Sequence, residues 1–312
     1  DFLTRALADR FAVTITDVGA DIQFSSVFGR EQLPTPKGGK PPLRVWWTGE
    51  ARDPQWQAFD LYFAFWPNRI MGKRWHRLPL WVTYLDWWTP NGTHAPDRLL
   101  RPRGEDIASR PRFCNFTFSA QPSVRTEFFM RLNAARGVDS HGLVLNNAGL
   151  AGGGRSGKVE LLARSRFGVA FENVTAPGYV TEKILEPLLA GTIPIYWGAE
   201  EARSDFNPAA FVYANDFNSM DDLVAHVLRL DDSPDALREM TAAPAFPGNA
   251  FRYEHTPAFF VDRIVEALES GFRPTAGLMP GPWTTRSEKH RLRLGNRLRQ
   301  LRRLLPGGGR RR

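Results

Sequence analysis

FGVAFENVTAPGYVTEKILEPLLAGTIPIYWG, residues 167–198, is the stretch on which the fold turns. It opens with the apolar run FGVAF and crosses a loop that contains Pro177 and Gly178. It continues as an apolar-periodic segment over 181–190, stops at Gly191 and ends in a second apolar run, IPIYW. Short apolar runs bounded by turn residues read as buried strands, and a glycine after the last periodic residue reads as a helix stop. Strand, helix and strand in that order make a βαβ unit, which predicts a parallel sheet. Pro187 predicts a kink in the helix or a missing backbone bond.

In such units ligands sit at the carboxyl ends of the strands, where helix N-termini present free N–H groups to anions. The loop over 173–181 and Lys183 fall at that edge. A cation in the first helical turn opposes the helix dipole unless an anion neutralises both, and a diphosphate would do so. Glu182 lies about 100° further round the helix and suits sugar hydroxyls. Taken alone, this Glu-Lys pair reads better as an ordinary solvated pair near a helix start.

Upstream, a helix is expected over 3–11 and strands over 13–16, 21–25, 44–47 and 61–65, with a turn-rich loop at 34–42. The Pro-, Gly- and Arg-rich stretch 90–111 reads as an interdomain linker. A second alternation follows: strand 113–119, helices 122–132 and 159–164, strand 167–171, helix 181–190, strands 193–196 and 211–213, and helices 219–229 and 257–269. Residues 152–157 read as a flexible loop tip. The expected class is α/β with two Rossmann-like domains. An acceptor-side domain spans 1–105, a donor-binding domain 106–250, a C-terminal helix 251–270, and a linker with a basic tail 271–312.

The whole of 167–198 resembles the signature of the bacterial-type α1,3/4-fucosyltransferases, an inverting family that uses GDP-fucose. The resemblance continues in FCNFTFSAQPSVRTEFF (113–129), VDSHG (138–142), LNNAG (145–149), WWTGEARDPQWQAFD (46–60) and DIQFSSVFG (21–29), over about two-thirds of the chain. It implies a GT-B fold, with two Rossmann-like domains facing a cleft and the first strand of the N-terminal domain missing before Asp1. It also implies that Asn173, Tyr179, Glu182 and Lys183 bind the donor, that Arg125 holds the diphosphate and that Glu50 is the general base. Read without the family, Arg125 is a helix arginine able to fork across two phosphate oxygens or simply to face solvent. Glu50, just past a strand, fits either a base or the cap of a turn.

The expected reaction is a single inverting displacement. Glu50 deprotonates an acceptor hydroxyl, which attacks the anomeric carbon of GDP-β-L-fucose to give an α-L-fucoside. Arg125, Lys183 and backbone N–H groups take up the charge that grows on GDP. The acceptor that the resemblance implies is an oligosaccharide, N-acetylglucosamine in a lactosamine-type chain, linked α1,3. Metal is not expected to be required, because the histidines lack ligand spacing. Asp221 with Asp222, and Asp231 with Asp232, read as helix caps rather than metal ligands. The same fold with another sugar nucleotide, and a non-catalytic carbohydrate-binding protein, stand as alternatives. Ala51, His141 and Trp66 depart from the family pattern, where asparagine, glycine and aspartate are usual.

The pI of about 10 belongs to one segment. From Arg286 to the final Arg312 there are 11 Arg or Lys and the single acid Glu288. That leaves 30 basic (41 less 11) and 32 acidic (33 less 1) residues elsewhere, so a nucleic-acid partner is not expected. Leu294, Leu298, Leu301 and Leu305 recur at helical spacing among these arginines, which suits an anionic membrane surface, a solvated tail being the alternative. Cys114 is the only cysteine, so no internal disulfide is available, and no apolar run is long enough to span a bilayer. The chain also opens without a signal-peptide pattern. The expected location is cytoplasmic, peripheral on the inner membrane through the tail.

Overall fold

The computed structural model describes residues 1–17, 19–27, 41–51, 59–67, 74–119, 123–149, 152 and 154–270. The loop at 34–42 falls almost wholly outside these residues, and the basic tail with its expected helix falls wholly outside them. The described residues form two compact units, one within 1–12 and 77–261, the other within 13–76 and 262–270.

The smaller unit holds a four-stranded sheet in chain order: β1 (Ile22–Ser25), β2 (Leu43–Trp47), β3 (Leu61–Ala64) and β4 (Trp75–Arg77), whose last residue, Arg77, already belongs to the larger unit. β1 pairs with β2 and β2 with β3, both parallel. Much of the chain's aromatic content is spent here. Trp46, Tyr62, Trp66 and Trp75 are all buried, with Tyr62 and Trp75 stacked at 5.1 Å and Trp46 and Trp66 at 6.4 Å. Trp66, one of the departures from the family pattern, is therefore a core residue. The strand expected over 13–16 does not form. Residues 11–17 are exposed, Ile15 to 83%, and lie in none of the strands among the described residues, so period-two alternation there serves no sheet.

In the larger unit, α1 (Phe2–Ala8) is capped by Asp1, whose carboxylate accepts from the Thr4 N–H, and it buries Phe2, Ala6 and Leu7. The short α2 (Leu80–Tyr84) follows. Residues 90–111 are not the interdomain linker expected of them. They contain 3-10 turns at Pro96–Leu100 and Ile107–Ser109 and bury Leu99 and Ile107. Their arginines bond to carbonyls of the larger unit: Arg98 to Leu189, Arg103 to Ala243, and Arg110 to Ser165 and Ala190. The polar composition that suggests a linker here satisfies backbone groups instead. The chain passes between units at 76/77, and the boundary expected at 105/106 lies inside the larger one.

The larger unit's sheet runs β6 (Asp139–Ser140), β5 (Arg112–Phe116), β7 (Ser165–Phe171), β8 (Ile193–Trp197), β9 (Val212–Tyr213), with every pair parallel. Its helices are α3 (Ser123–Arg136), α4 (Gly154–Leu162), α5 (Glu182–Leu189), α6 (Ala202–Asp205), α7 (Met220–Asp231), α8 (Pro234–Ala242) and α9 (Pro257–Glu269), the last continuing into the other unit. The expected loop tip at 152–157 is partly helix, because α4 begins at Gly154. The caps assigned to paired aspartates are serines. Ser219 caps α7 and Ser233 caps α8, Asp221 and Asp222 sit in the first turn of α7, and Asp231 ends it, paired with Arg166 and Arg136.

The βαβ unit of 167–198 is the centre of this sheet. α5 buries Ile184, Leu185 and Leu188 completely, each worth about 1.5–3 kcal/mol relative to exposure. Pro187 withholds its backbone bond inside α5, and its ring packs over Gly168, where an added Cβ would stand 3.2 Å from the Pro187 Cγ and 2.6 Å from a Leu162 methyl. Gly191, at φ +64°, ends the helix with its N–H on the Leu188 carbonyl.

Candidate functional site

At the carboxyl end of β7 the chain runs Phe171, Glu172, Asn173, and re-enters helix nine residues later at Glu182. The two ends are tied together by Glu172, which is fully buried. It accepts from the Thr181 N–H at 2.8 Å and from the Thr181 hydroxyl at 2.8 Å. Thr181 is also the N-cap of α5, its hydroxyl accepting from the Lys183 N–H. The strand end and the helix start are therefore one hydrogen-bonded unit.

Lys183 lies among three oxygen-bearing groups, with Nζ 3.1 Å from the Thr181 hydroxyl, 3.1 Å from a Glu182 oxygen and 3.4 Å from a Glu172 oxygen. Burial works against its charge, but Glu172 and Glu182 outweigh that and raise its pKa. Glu182 is half-buried, which disfavours its charge, yet Lys183 and then Lys158 hold its carboxyl below the usual range. Burial pushes Glu172 up, opposed by Lys183. One turn along α5, the buried Glu186 ion-pairs with Lys158 of α4. The lysine is thus held as a cation at the positive end of a helix, an arrangement suited to receiving an anion.

Arg125 on α3 is not a surface arginine. It is 1% exposed, its Nε and Nη2 donate to the Phe171 carbonyl at 3.1 and 2.5 Å, and Nη2 donates to the Asn173 side-chain oxygen at 2.7 Å. Its guanidinium lies 4.0 Å from the Phe118 ring centre. Burial lowers its pKa to about 10, so it stays charged at neutral pH. Tyr179 is buried, with its N–H on the Ala176 carbonyl at 2.9 Å. Arg125 and Asn173 are therefore in contact, as are Glu182 and Lys183, and both pairs meet at the end of β7.

Glu50 belongs to the other unit. It lies just past β2, half-buried, and its N–H donates to the Thr48 hydroxyl at 3.0 Å. His141, another departure, keeps an ordinary backbone. Among the described residues the non-glycine positions with positive φ are Asn91, Leu145 and Asn249, and the His141 ring instead lies 2.9 Å from the Gly149 carbonyl. Glu172, Thr181 and Lys158 were not singled out from sequence, although the FEN string contains the first and Thr181 stands at a recognisable N-cap position. Among the described residues no group of three or more His, Cys, Asp or Glu could hold a metal ion.

Residues 112–241 match the family described as glycosyltransferase family 10 (fucosyltransferase) C-term. Over 241 residues the chain is 28% identical to an alpha-(1,3)-fucosyltransferase of Helicobacter pylori, covering 68% of this chain and 50% of the relative. It therefore spans about half that relative's length. Over 81 residues it is 37% identical to an alpha-(1,4)-fucosyltransferase of Arabidopsis thaliana, 26% of this chain and 20% of that one. A crystal structure of an alpha1,3-fucosyltransferase with GDP-fucose superposes with a TM-score of 0.67 at 24% identity, over 89% of this chain and 86% of that one. The fold is GT-B, as expected, and both the site at the end of β7 and the βαβ unit around it lie inside the matched segment. Residues 112–241 are thus similar to the C-terminal domain of the glycosyltransferase family 10 fucosyltransferases.

Proposed function

We propose that this protein transfers L-fucose from GDP-β-L-fucose to a hydroxyl of an oligosaccharide acceptor, with inversion at the anomeric carbon, and that the linkage is α1,3 on N-acetylglucosamine of a lactosamine-type chain. The observation that carries the reading is the convergence of Arg125, Asn173, Tyr179, Glu182 and Lys183 at the end of β7, within a fucosyltransferase domain. In the proposed step the acceptor oxygen gives its proton to Glu50 and attacks the anomeric carbon as the bond to the GDP oxygen breaks. Lys183 and Arg125 stabilise the charge that develops on the diphosphate, and Glu182 orients sugar hydroxyls. Those cations supply the electrostatic stabilisation within the protein, and the reaction needs no metal. The basic tail from Arg286 to Arg312 holds the enzyme on an anionic membrane surface at the cytoplasmic face.

The test is GDP release from GDP-fucose with a panel of saccharide acceptors, with and without a chelator, for the wild type and Glu50→Gln. Release that depends on lactosamine, survives chelator and is lost in the variant is the expected result. Release only from another sugar nucleotide, or binding without turnover, overturns it. Liposome flotation with and without the tail tests the membrane contact, and equal flotation overturns it.

A further inference from the structure

The loop over 176–181 carries Tyr179 and leads into Lys183, so whatever fixes its backbone fixes the groups around a bound donor. Glu172 holds its Thr181 end. Its middle is held from a different part of the chain. Arg77, the last residue of β4, donates from Nη2 to the Gly178 carbonyl at 3.1 Å. The same guanidinium forks onto both oxygens of Asp205 at 2.6 and 2.7 Å. Asp205 also accepts from the Trp81 indole at 3.1 Å, and the His255 Nε2 lies 3.4 Å from Arg77 Nη1. Trp81, Asp205 and His255 are buried, and the Arg77 side chain is 13% exposed. Burial pushes the His255 pKa down to about 4, so it is neutral at physiological pH and adds no second cation against Arg77.

Gly178 has φ +78°, a left-handed backbone that a glycine adopts freely and can also leave freely. Its carbonyl direction sets where the next peptide, and hence Tyr179, lies. An arginine serves this place because its two terminal nitrogens, fixed in one plane, can hold a carboxylate and a carbonyl together, whereas lysine offers a single nitrogen.

We propose that Arg77, braced by Asp205, is a positioning residue for the donor site, locking the Gly178 carbonyl so that Tyr179, Thr181 and Lys183 are pre-aligned before nucleotide arrives. This rests on reading residues 173–183 as the donor site. Three variants test it: Arg77→Lys, Trp81→Phe, and Arg77→Gln combined with Asp205→Asn, which removes both charges together and leaves no lone buried ion. Hydrogen exchange of the peptide over 174–184 is read without nucleotide, and GDP affinity by titration calorimetry, each beside the thermal midpoint.

Arg77→Lys and the double variant should raise exchange in that peptide and weaken GDP binding by about tenfold or more, the scale on which loss of a supporting contact acts. Trp81→Phe removes a bond to Asp205 but spares the Gly178 bond. It should lower the midpoint while leaving loop exchange and GDP affinity within about twofold. If loop exchange in Arg77→Lys matched that of Trp81→Phe, or rose everywhere in proportion to lost stability, Arg77 would be a fold residue only. If the wild type bound no GDP, the donor reading would fall, and the exchange data would still decide whether Arg77 pins the loop.

Discussion

Replacing Lys183 with alanine removes the cation shared by Glu172 and Glu182, and its consequences follow from their burial. Glu172 is fully buried and Glu182 nearly so, at 15% side-chain exposure, so neither is well served by water once the ammonium is gone. Removing one partner of a buried ion pair costs about 3–5 kcal/mol, on the order of 10 °C in midpoint for a domain of this size. The loss should depend on pH. Burial already raises the folded pKa of Glu172 above the ordinary 4.5. A group shifted that way contributes stability below its unfolded pKa and loses it as pH rises through the folded value. Lys183 is the first influence opposing the rise, so Lys183→Ala moves the folded pKa higher and extends the unfavourable window upward from 4.5. Denaturant unfolding should therefore show a smaller deficit against wild type at pH 5 than at pH 8. Adding Glu172→Gln should recover a large part of the deficit at pH 8. A deficit below about 1 kcal/mol at both pH values, the scale of an exposed pair, or simple additivity of the two substitutions, would refute the argument.

Other outcomes follow from the same geometry. Arg125→Lys keeps a charge but cannot hold both the Phe171 carbonyl and Asn173 in one planar fork, so kcat/KM for GDP-fucose should fall on the order of 10²-fold in steady-state assays. Leu188→Ala, at a fully buried position of α5, should cost about 2–5 kcal/mol in chemical denaturation. Cys114 is 1% exposed and burial pushes its thiol pKa far up, so a thiol reagent should leave it unmodified until the protein unfolds.

The central βαβ unit was legible because its signals are local: two uninterrupted apolar runs, a threonine N-cap, a glycine stop. The residues that resisted reading depend on distant partners. Glu172 acquires its role only when Thr181, nine positions on, returns to it. The arginines of 90–111 looked like linker residues because their carbonyl acceptors lie far along the chain. Strand 13–16 failed for the opposite reason, a local pattern that joins no sheet among the described residues. α2, five residues among aromatic and β-branched neighbours, offers too little periodicity to identify. α8 carries a usable signal in Ser233 followed by Pro234, the N-cap and first helical position, which the two aspartates just before it obscure.

The central claim is inverting transfer of fucose, and the stereochemistry of the product tests it most directly. Purified protein is incubated with GDP-β-L-fucose and a lactosamine acceptor, and the anomeric proton and linkage of the product are read by NMR. The account predicts one α-L-fucosyl residue at O3 of N-acetylglucosamine, formed in step with GDP. A β-linked fucoside, or GDP appearing at the same rate without acceptor, would contradict it.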